Sequence, residues 1–159
     1  MRIFKVFLSL CLLTGLTGCS KKVVEPLVPP SDVITYIDEF GFVQADNLTE
    51  IIDHARREEK LVFLDVYADW CLPCKLMDEE VFTDDRLARY YQERFISYKV
   101  NAEKGTGPQI AELYQVPGFP TFLFLDTRGR VLVKKIGSAP LSEMYDLADS
   151  SVAKASLGN

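Results

Sequence analysis

The sequence predicts an α/β domain with a central mixed β-sheet that is flanked by helices on both faces. Three observations predict this fold class. The short, almost wholly apolar run Leu61–Tyr67 is typical of a strand that is covered on both faces. Helical periodicity precedes and follows this run. Two later runs, 121–125 and 131–136, are separated by a turn that contains glycine, which indicates a hairpin. Alternating helices favour parallel strands and the hairpin adds an antiparallel pair, so the sheet should be mixed.

The N-terminal residues have the features of a secretory signal peptide. Arg2 and Lys5 precede an apolar run that is too short for a membrane span. The sequence Leu-Thr-Gly-Cys at 16–19 resembles the bacterial lipobox, in which cleavage precedes a cysteine whose sulfur carries a diacylglyceryl group. We therefore expect residues 1–18 to be a lipoprotein signal and Cys19 to be lipidated. Ordinary cleavage and an uncleaved anchor are the alternatives.

A segment with three prolines and little periodic pattern follows the signal. Its composition predicts an extended tether over residues 19–32, the alternative being an irregular segment packed on the domain. We expect one globular domain over residues 33–150 and a C-terminal tail over 151–159. The composition, 48% hydrophobic and 26% charged, is that of an ordinary globular protein.

The first part of the domain is expected to supply an edge strand, a helix and a buried strand. The edge strand lies within residues 35–43. Helical periodicity then begins at Asn47, which together with Glu50 has the character of a capping box. This helix should end near Lys60, where the strand Leu61–Tyr67 follows.

Two helical segments and a strand are predicted next. Residues Lys75–Val81 lack glycine and proline and indicate a helix. Thr83 or Asp84 can cap a second helical stretch through Tyr91. The run Phe95–Val100 has the pattern of a strand.

The remaining elements are a short helix, the hairpin and a closing helix. Pro108–Tyr114 carries proline in its first turn, where the missing N–H donor is harmless. The strands Thr121–Leu125 and Val131–Ile136 flank the turn 126–129. The last helix should run over Leu141–Ala148.

Charge and cysteine content limit the function classes. The formal net charge is −5, and loss of residues 1–18, with two basic and no acidic residues, would make it −7. No basic patch is apparent that could neutralise phosphates, so nucleic acid is not an expected partner. Cys11 would leave with the signal and Cys19 would carry lipid. Cys71 and Cys74 would then be the remaining thiols, in an exported compartment that permits disulfides.

The pair Cys71-Leu72-Pro73-Cys74 follows a buried strand and opens a helix, which is the setting of a redox C-x-x-C motif. Backbone N–H groups and the helix dipole favour an anion at this point, so the thiolate of Cys71 should be stabilised. We expect Cys71 to attack a substrate disulfide and Cys74 to resolve the mixed disulfide.

Two other interpretations of the pair remain open. A structural zinc site needs about four ligands, whereas the mature chain would offer these two thiols and His54, which we expect to be a solvated helix residue. A purely structural disulfide would close a very short loop and gain little stability. We expect no metal.

Three separated motifs resemble the thioredoxin superfamily. Residues 63–75, Phe-Leu-Asp-Val-Tyr-Ala-Asp-Trp-Cys-Leu-Pro-Cys-Lys, are similar to its strand, active-site loop and helix start. Residues 116–121, Val-Pro-Gly-Phe-Pro-Thr, are similar to its cis-proline loop, and Gly137 to a glycine after the final strand. The resemblance extends from about residue 40 to 149 and implies a thioredoxin-like fold.

Within the superfamily, the Tyr-Ala-Asp-Trp-Cys sequence at 67–71 and the segment 81–85 are most similar to the C-terminal domain of DsbD-type thiol:disulfide interchange proteins. Such proteins also carry a multi-span membrane region, which we do not find in this chain, so we expect a stand-alone lipoprotein. This departure bears on the electron donor and leaves the thiol chemistry unchanged.

The resemblance implies a role for Asp65, which interrupts an otherwise apolar strand. A carboxylate in a buried strand is costly unless it has a partner or a task. In the family, this carboxylate relays a proton through water to and from the second cysteine, and the alternative is an Asp held by backbone donors. Lys99 matches the family lysine that pairs with it, and a solvated strand lysine is the alternative.

The resemblance also implies a substrate-binding surface around the cysteines. Pro120 is expected in cis, which would leave the Phe119 backbone free to pair with an extended substrate segment. An ordinary trans turn is the alternative for Pro120. Trp70, Leu72 and Pro73 are expected to contribute to the surface that partners touch, although for Trp70 a plain packing role is the alternative.

The expected function is that of an exported disulfide reductase acting on protein partners. No Gly-rich nucleotide fingerprint appears, so we expect no cofactor beyond the redox-active Cys71–Cys74 disulfide, and electrons from a membrane donor of DsbD type. The dipeptide Leu72-Pro73 contains no histidine to stabilise the thiolate further, which favours a reductase.

We expect a monomer in the bacterial cell envelope, held to the membrane by the lipid on Cys19 and facing the periplasm. Ser20 resembles residues that permit sorting to the outer membrane. The alternative function is a thioredoxin-fold lipoprotein that acts as a binding module or handles metal without turnover.

Overall fold

The computed structural model describes Thr35, Tyr36 and residues 38–158 of the chain. The predicted signal peptide, lipidated Cys19 and tether lie outside these residues. The strands are β1 (Thr35–Tyr36), β2 (Phe42–Gln44), β3 (Leu61–Tyr67), β4 (Phe95–Asn101), β5 (Thr121–Leu125) and β6 (Val131–Ile136). The helices are α1 (Leu48–Arg57), α2 (Leu72–Glu80), α3 (Asp85–Arg94), α4 (Gly107–Leu113) and α5 (Leu141–Leu157).

The six strands form one mixed sheet in the order β1-β2-β4-β3-β5-β6. The pairs β2–β4 and β4–β3 are parallel, whereas β1, β5 and β6 pair antiparallel to their neighbours. Because β3 and β4 are parallel and in register, their carboxyl ends meet at one edge of the sheet. The predicted mixed sheet is confirmed.

Helices cover both faces of the sheet, as predicted. On one face, α2, α3 and α5 pack on an aromatic cluster that includes Phe63, Tyr91 and Phe122. On the other face, α1 and α4 pack on an aliphatic cluster that includes Ile51 and Leu64. Successive β3 side chains enter opposite clusters, so this strand is buried on both sides and its apolar composition follows.

The bounds of β3, β5 and β6 agree with the prediction. The single edge strand expected within residues 35–43 is instead two short strands. Between them the Asp38 carboxylate accepts hydrogen bonds from the backbone N–H groups of Gly41 and Phe42, and Gly41 has a φ of 92°. This turn folds β1 back onto β2.

The predicted end of the last helix near Ala148 is wrong. Helix α5 continues to Leu157, so residues 151–157, predicted as a tail, are helical. Ser151 is fully buried and its hydroxyl donates to the carbonyl of Leu147, while Lys154 Nζ donates to the carbonyl of Leu132 in β6. These contacts hold the additional turns on the sheet.

The prediction that His54 is solvated is also wrong. Its side chain lies on the buried face of α1 with Leu48, Ile51 and Ala55, and the residue is 8% exposed. The spacing of these positions places them on one side of the helix. No helix among the described residues has the length and apolar character needed to cross a membrane.

Candidate active site

Cys71 and Cys74 lie at the start of α2, just after the end of β3. Cys71 is the N-cap of α2, and its sulfur accepts a hydrogen bond of 3.1 Å from the backbone N–H of Cys74. The two sulfurs form a disulfide of 2.05 Å. Pro73 occupies the first turn, where a missing N–H donor costs nothing. The amide and the helix dipole would both stabilise a thiolate at Cys71 once the bridge is reduced.

Both cysteines are almost completely covered, at 2% exposure each. Ala68 packs with them, and Tyr67 and Phe119 lie against this small cluster. The exposed side chains next to the disulfide are Trp70, Leu72 and Pro73, all predicted to touch partners. Their position fits that expectation, and their role in binding stays a prediction.

Asp65 lies in the middle of β3 and is 1% exposed. In the sheet register it is opposite Lys99 of β4 on one side and Phe122 of β5 on the other. Its Oδ2 atom is 3.0 Å from Lys99 Nζ, which confirms the predicted pairing of these two side chains. Its Oδ1 atom has no hydrogen-bond partner among the described residues. The carboxylate is therefore only half satisfied.

Lys99 has a second carboxylate partner that sequence reasoning missed. Asp78 on α2 contacts its ammonium, and the rings of Phe42, Tyr67 and Phe82 surround it at 5.0 to 5.5 Å. Asp78 follows Cys74 by one helical turn, so both residues lie on the same face of α2. This spacing in the sequence could have identified Asp78 as a residue near the site.

Burial and the charges of Lys99 and Asp78 together set the pKa of the Asp65 carboxyl group, which lies above its usual range. Burial, with a smaller contribution from the charge of Asp78, raises the pKa of Asp65 to about 6 against the opposing effect of the Lys99 ammonium. Burial alone would lower the pKa of Lys99, but the Asp65 and Asp78 carboxylates outweigh it and raise that pKa. At neutral pH the Asp65 carboxylate is therefore mostly ionised and close to its titration range.

The Phe119–Pro120 peptide bond is cis, as predicted. The loop is fixed on both sides, since the carbonyl of Pro120 accepts from Gly137 N–H at 2.8 Å and the carbonyl of Gly118 accepts from the Thr121 hydroxyl at 2.7 Å. Within the described part of the chain, the backbone N–H and C=O of Phe119 have no hydrogen-bond partner. This leaves them available for an incoming strand.

A second set of missed residues lies at the end of β4 and just after it. Asn101 and Lys104 bind the carboxylate of Asp69, and Glu103 accepts a hydrogen bond from the indole N–H of Trp70 at 3.0 Å. The predicted strand order could have indicated these contacts, because residues after neighbouring parallel strands meet at the same edge of a sheet. Among the described residues, no three His, Cys, Asp or Glu side chains are grouped to hold a metal ion.

The chain is similar to proteins of known thiol chemistry. The model of the thioredoxin-like domain family matches residues 48–150. The thiol:disulfide interchange protein DsbD of Pseudomonas fluorescens is 30% identical over 125 residues, which cover 74% of this chain and 21% of that protein. Thioredoxin-T of Drosophila melanogaster is 40% identical over 80 residues, covering 50% and 47% of the two chains. The chain thus spans about a fifth of the length of its DsbD relative.

Solved structures show the same fold. A thioredoxin from Thermus thermophilus has a TM-score of 0.62 at 26% identity, over 70% of this chain and 89% of that one. Oxidised mitochondrial thioredoxin 3 of Saccharomyces cerevisiae has a TM-score of 0.54 at 25% identity, over 70% and 99%. With its C-x-x-C pair at the end of β3, this chain belongs to the thioredoxin-like family of disulfide oxidoreductases.

Proposed function

We propose that this protein is an exported, lipid-anchored oxidoreductase that reduces disulfides in protein partners. One observation carries the proposal. The Cys71 sulfur is the N-cap of α2 and accepts the Cys74 backbone N–H at 3.1 Å, so its anion is favoured once the disulfide is reduced.

Reduction begins with the Cys71 thiolate. It attacks one sulfur of the partner disulfide, forms a mixed disulfide and releases the other partner sulfur as a thiolate, which takes a proton from solvent. The free backbone groups of Phe119 would pair with the partner segment on either side of its cysteine.

Resolution needs a second thiolate. Asp65, which is ionised at neutral pH, takes the proton of Cys74 through water, and Cys74 then attacks the Cys71 sulfur. The Cys71–Cys74 bond forms, the partner leaves with its second thiolate, and two electrons have passed to the partner. Lys99 stabilises the ionised state of Asp65 before the transfer.

A donor must then return two electrons to the Cys71–Cys74 disulfide. We propose a membrane-bound dithiol donor of DsbD type, supported by the similarity of this chain to about a fifth of the length of such proteins. Lipid on Cys19 would hold the domain at the membrane, facing the periplasm. Loss of membrane fractionation in a Cys19→Ala variant of the full chain would test the anchor.

A trapping experiment tests the reductase function. The Cys74→Ser variant should accumulate mixed disulfides with partner proteins, whereas the matched Cys71→Ser variant should accumulate far fewer. Trapping by neither variant, with no reduction of a disulfide test protein by the wild type, would refute thiol exchange. A redox titration that places the potential of the Cys71–Cys74 pair at the oxidising extreme of the family would instead indicate an oxidase.

A further inference from the structure

Trp70 is 67% exposed, yet two contacts hold its indole. The ring N–H donates to Glu103 Oε1 at 3.0 Å. The ring also meets the ring of Phe119 in a T-shaped contact with centroids 5.7 Å apart. An exposed aromatic side chain fixed from two sides has a defined position that solvent alone would not impose.

The two rings lie in sequence next to the disulfide, Phe119 against the cysteines and Trp70 against Phe119. Phe119 is half-buried and packs against the cluster of Ala68, Cys71 and Cys74. Trp70 packs on Phe119 from the outside. Cys71 is only 2% exposed although it begins a surface helix, and its other neighbours Leu72 and Pro73 point into solvent. We call the Trp70–Phe119 pair the aromatic lid.

Glu103 is itself fixed to the sheet. Its backbone N–H donates to Asn101 Oδ1 at 2.9 Å, and Asn101 Nδ2 donates to Asp69 Oδ1 at 2.7 Å. Asn101 is the last residue of β4 and is in register with Tyr67, the last residue of β3. The backbone of Glu103 is therefore tied to the edge of the sheet, which places its carboxylate within reach of the Trp70 indole.

We propose that Glu103 is a positioning residue that latches the aromatic lid and restricts access to the Cys71 sulfur. The latch would admit cysteines that project from a narrow, extended segment entering on the Leu72 side and would exclude bulkier thiols. This inference rests on the proposed thiol exchange at Cys71 and names the partner class that the site accepts.

Reduction of the Cys71–Cys74 disulfide by added thiols measures this access. A thiolate attacks Cys71, forms a mixed disulfide and releases the Cys74 thiolate, which is protonated. A second thiolate then attacks the added sulfur, releases Cys71 as a thiolate and leaves as the oxidised thiol. The ratio of the rates for N-acetylpenicillamine amide, a bulky uncharged thiol, and for 2-mercaptoethanol reports the size restriction without a charge effect.

The full chain is compared with Glu103→Ala, Glu103→Gln and Glu79→Gln variants. Loss of one hydrogen bond predicts that Glu103→Ala raises the ratio of the bulky-thiol rate to the mercaptoethanol rate about fivefold. Glu103→Gln keeps an acceptor oxygen and should leave the ratio unchanged. Glu79→Gln removes another exposed carboxylate, on α2, and should also leave the ratio unchanged. Trp70 is the only tryptophan of the chain, so its fluorescence anisotropy should fall in Glu103→Ala alone.

An unchanged or lower ratio in Glu103→Ala, or an equal change in Glu103→Gln, would overturn the latch. Unchanged Trp70 anisotropy in Glu103→Ala would also overturn it. Failure of the wild type to exchange with either thiol would instead refute the proposed function. Glu103 is exposed, so these variants should fold, and a thermal melt of each one checks this.

Discussion

The Asp65 carboxylate and the Lys99 ammonium form a 3.0 Å ion pair between adjacent parallel strands, and only one carboxylate oxygen takes part. Because Asp65 is 1% exposed, its second oxygen is desolvated without a protein partner among the described residues. This incomplete pairing explains why burial prevails over Lys99 and raises the pKa of Asp65 to about 6.

Asp65→Asn should stabilise the oxidised protein at neutral pH. Between pH 3.8 and about 6, folded Asp65 holds a proton that the unfolded chain has lost, so the free energy of unfolding falls as pH rises. Asparagine does not ionise, so the variant keeps the free energy of unfolding that the wild type loses. Above pH 6 we expect the variant to be more stable by about 1 to 3 kcal/mol, the lower value reflecting the lost ion pair with Lys99. Urea unfolding against pH measures it.

The control for this prediction is Asp53→Asn, which removes an exposed carboxylate paired with Arg56. It should change stability by less than about 1 kcal/mol at any pH. The raised pKa predicts that the unfolding free energy of the wild type falls relative to that of Asp65→Asn between pH 3.8 and about 6. A difference between the two proteins that stays constant over this range would contradict it.

Lys99→Met and Asp78→Asn should shift the pKa of Asp65 in opposite directions. Loss of the ammonium removes the group that favours ionised Asp65, so the pKa of Asp65 rises. Loss of the Asp78 charge removes a repulsion, so that pKa falls. The acid limb of the pH profile for partner release should shift upward in Lys99→Met and downward in Asp78→Asn. Shifts in the same direction would contradict this arrangement.

The strands that frame the site were predictable because their sequences carry the signal. β3 is apolar throughout since both of its faces are buried, and the turn between β5 and β6 contains Gly129 with a φ of 76°. β1 has two residues, too few to show a period. The continuation of α5 depends on burial of Ser151 against the sheet, which a serine does not indicate by itself.

The site divides in the same way. Cys71, Cys74 and Asp65 were predictable because each is unusual in its local sequence. Asp78 and Glu103 are ordinary surface residue types, and their importance comes from contacts with Lys99 and Trp70 in other segments. Pairwise contacts between distant segments leave no local pattern, so only the fold reveals them.

Truncation after Ala148 should destabilise the domain. It removes the buried Ser151, the contact between Asp149 and the Tyr90 hydroxyl, and the Lys154 hydrogen bond to β6. We expect a loss of about 2 to 4 kcal/mol in the free energy of unfolding, measured by urea denaturation. Deletion of residues 158–159 is the control and should cost almost nothing. Equal stability of the two truncated chains would contradict packing of the last turns.

Gly107→Ala should destabilise the protein and loosen the loop that holds Trp70. A Cβ atom at Gly107 would lie 1.8 Å from the backbone oxygen of Asn101, so the chain after β4 must move. The expected cost is about 3 kcal/mol in urea denaturation, with lower Trp70 anisotropy. Gly118→Ala is the control, because nothing lies within 4 Å of its Cβ position and the unfolded chain loses freedom. It should be neutral or slightly stabilising, and an equal cost for both variants would contradict the close approach at Gly107.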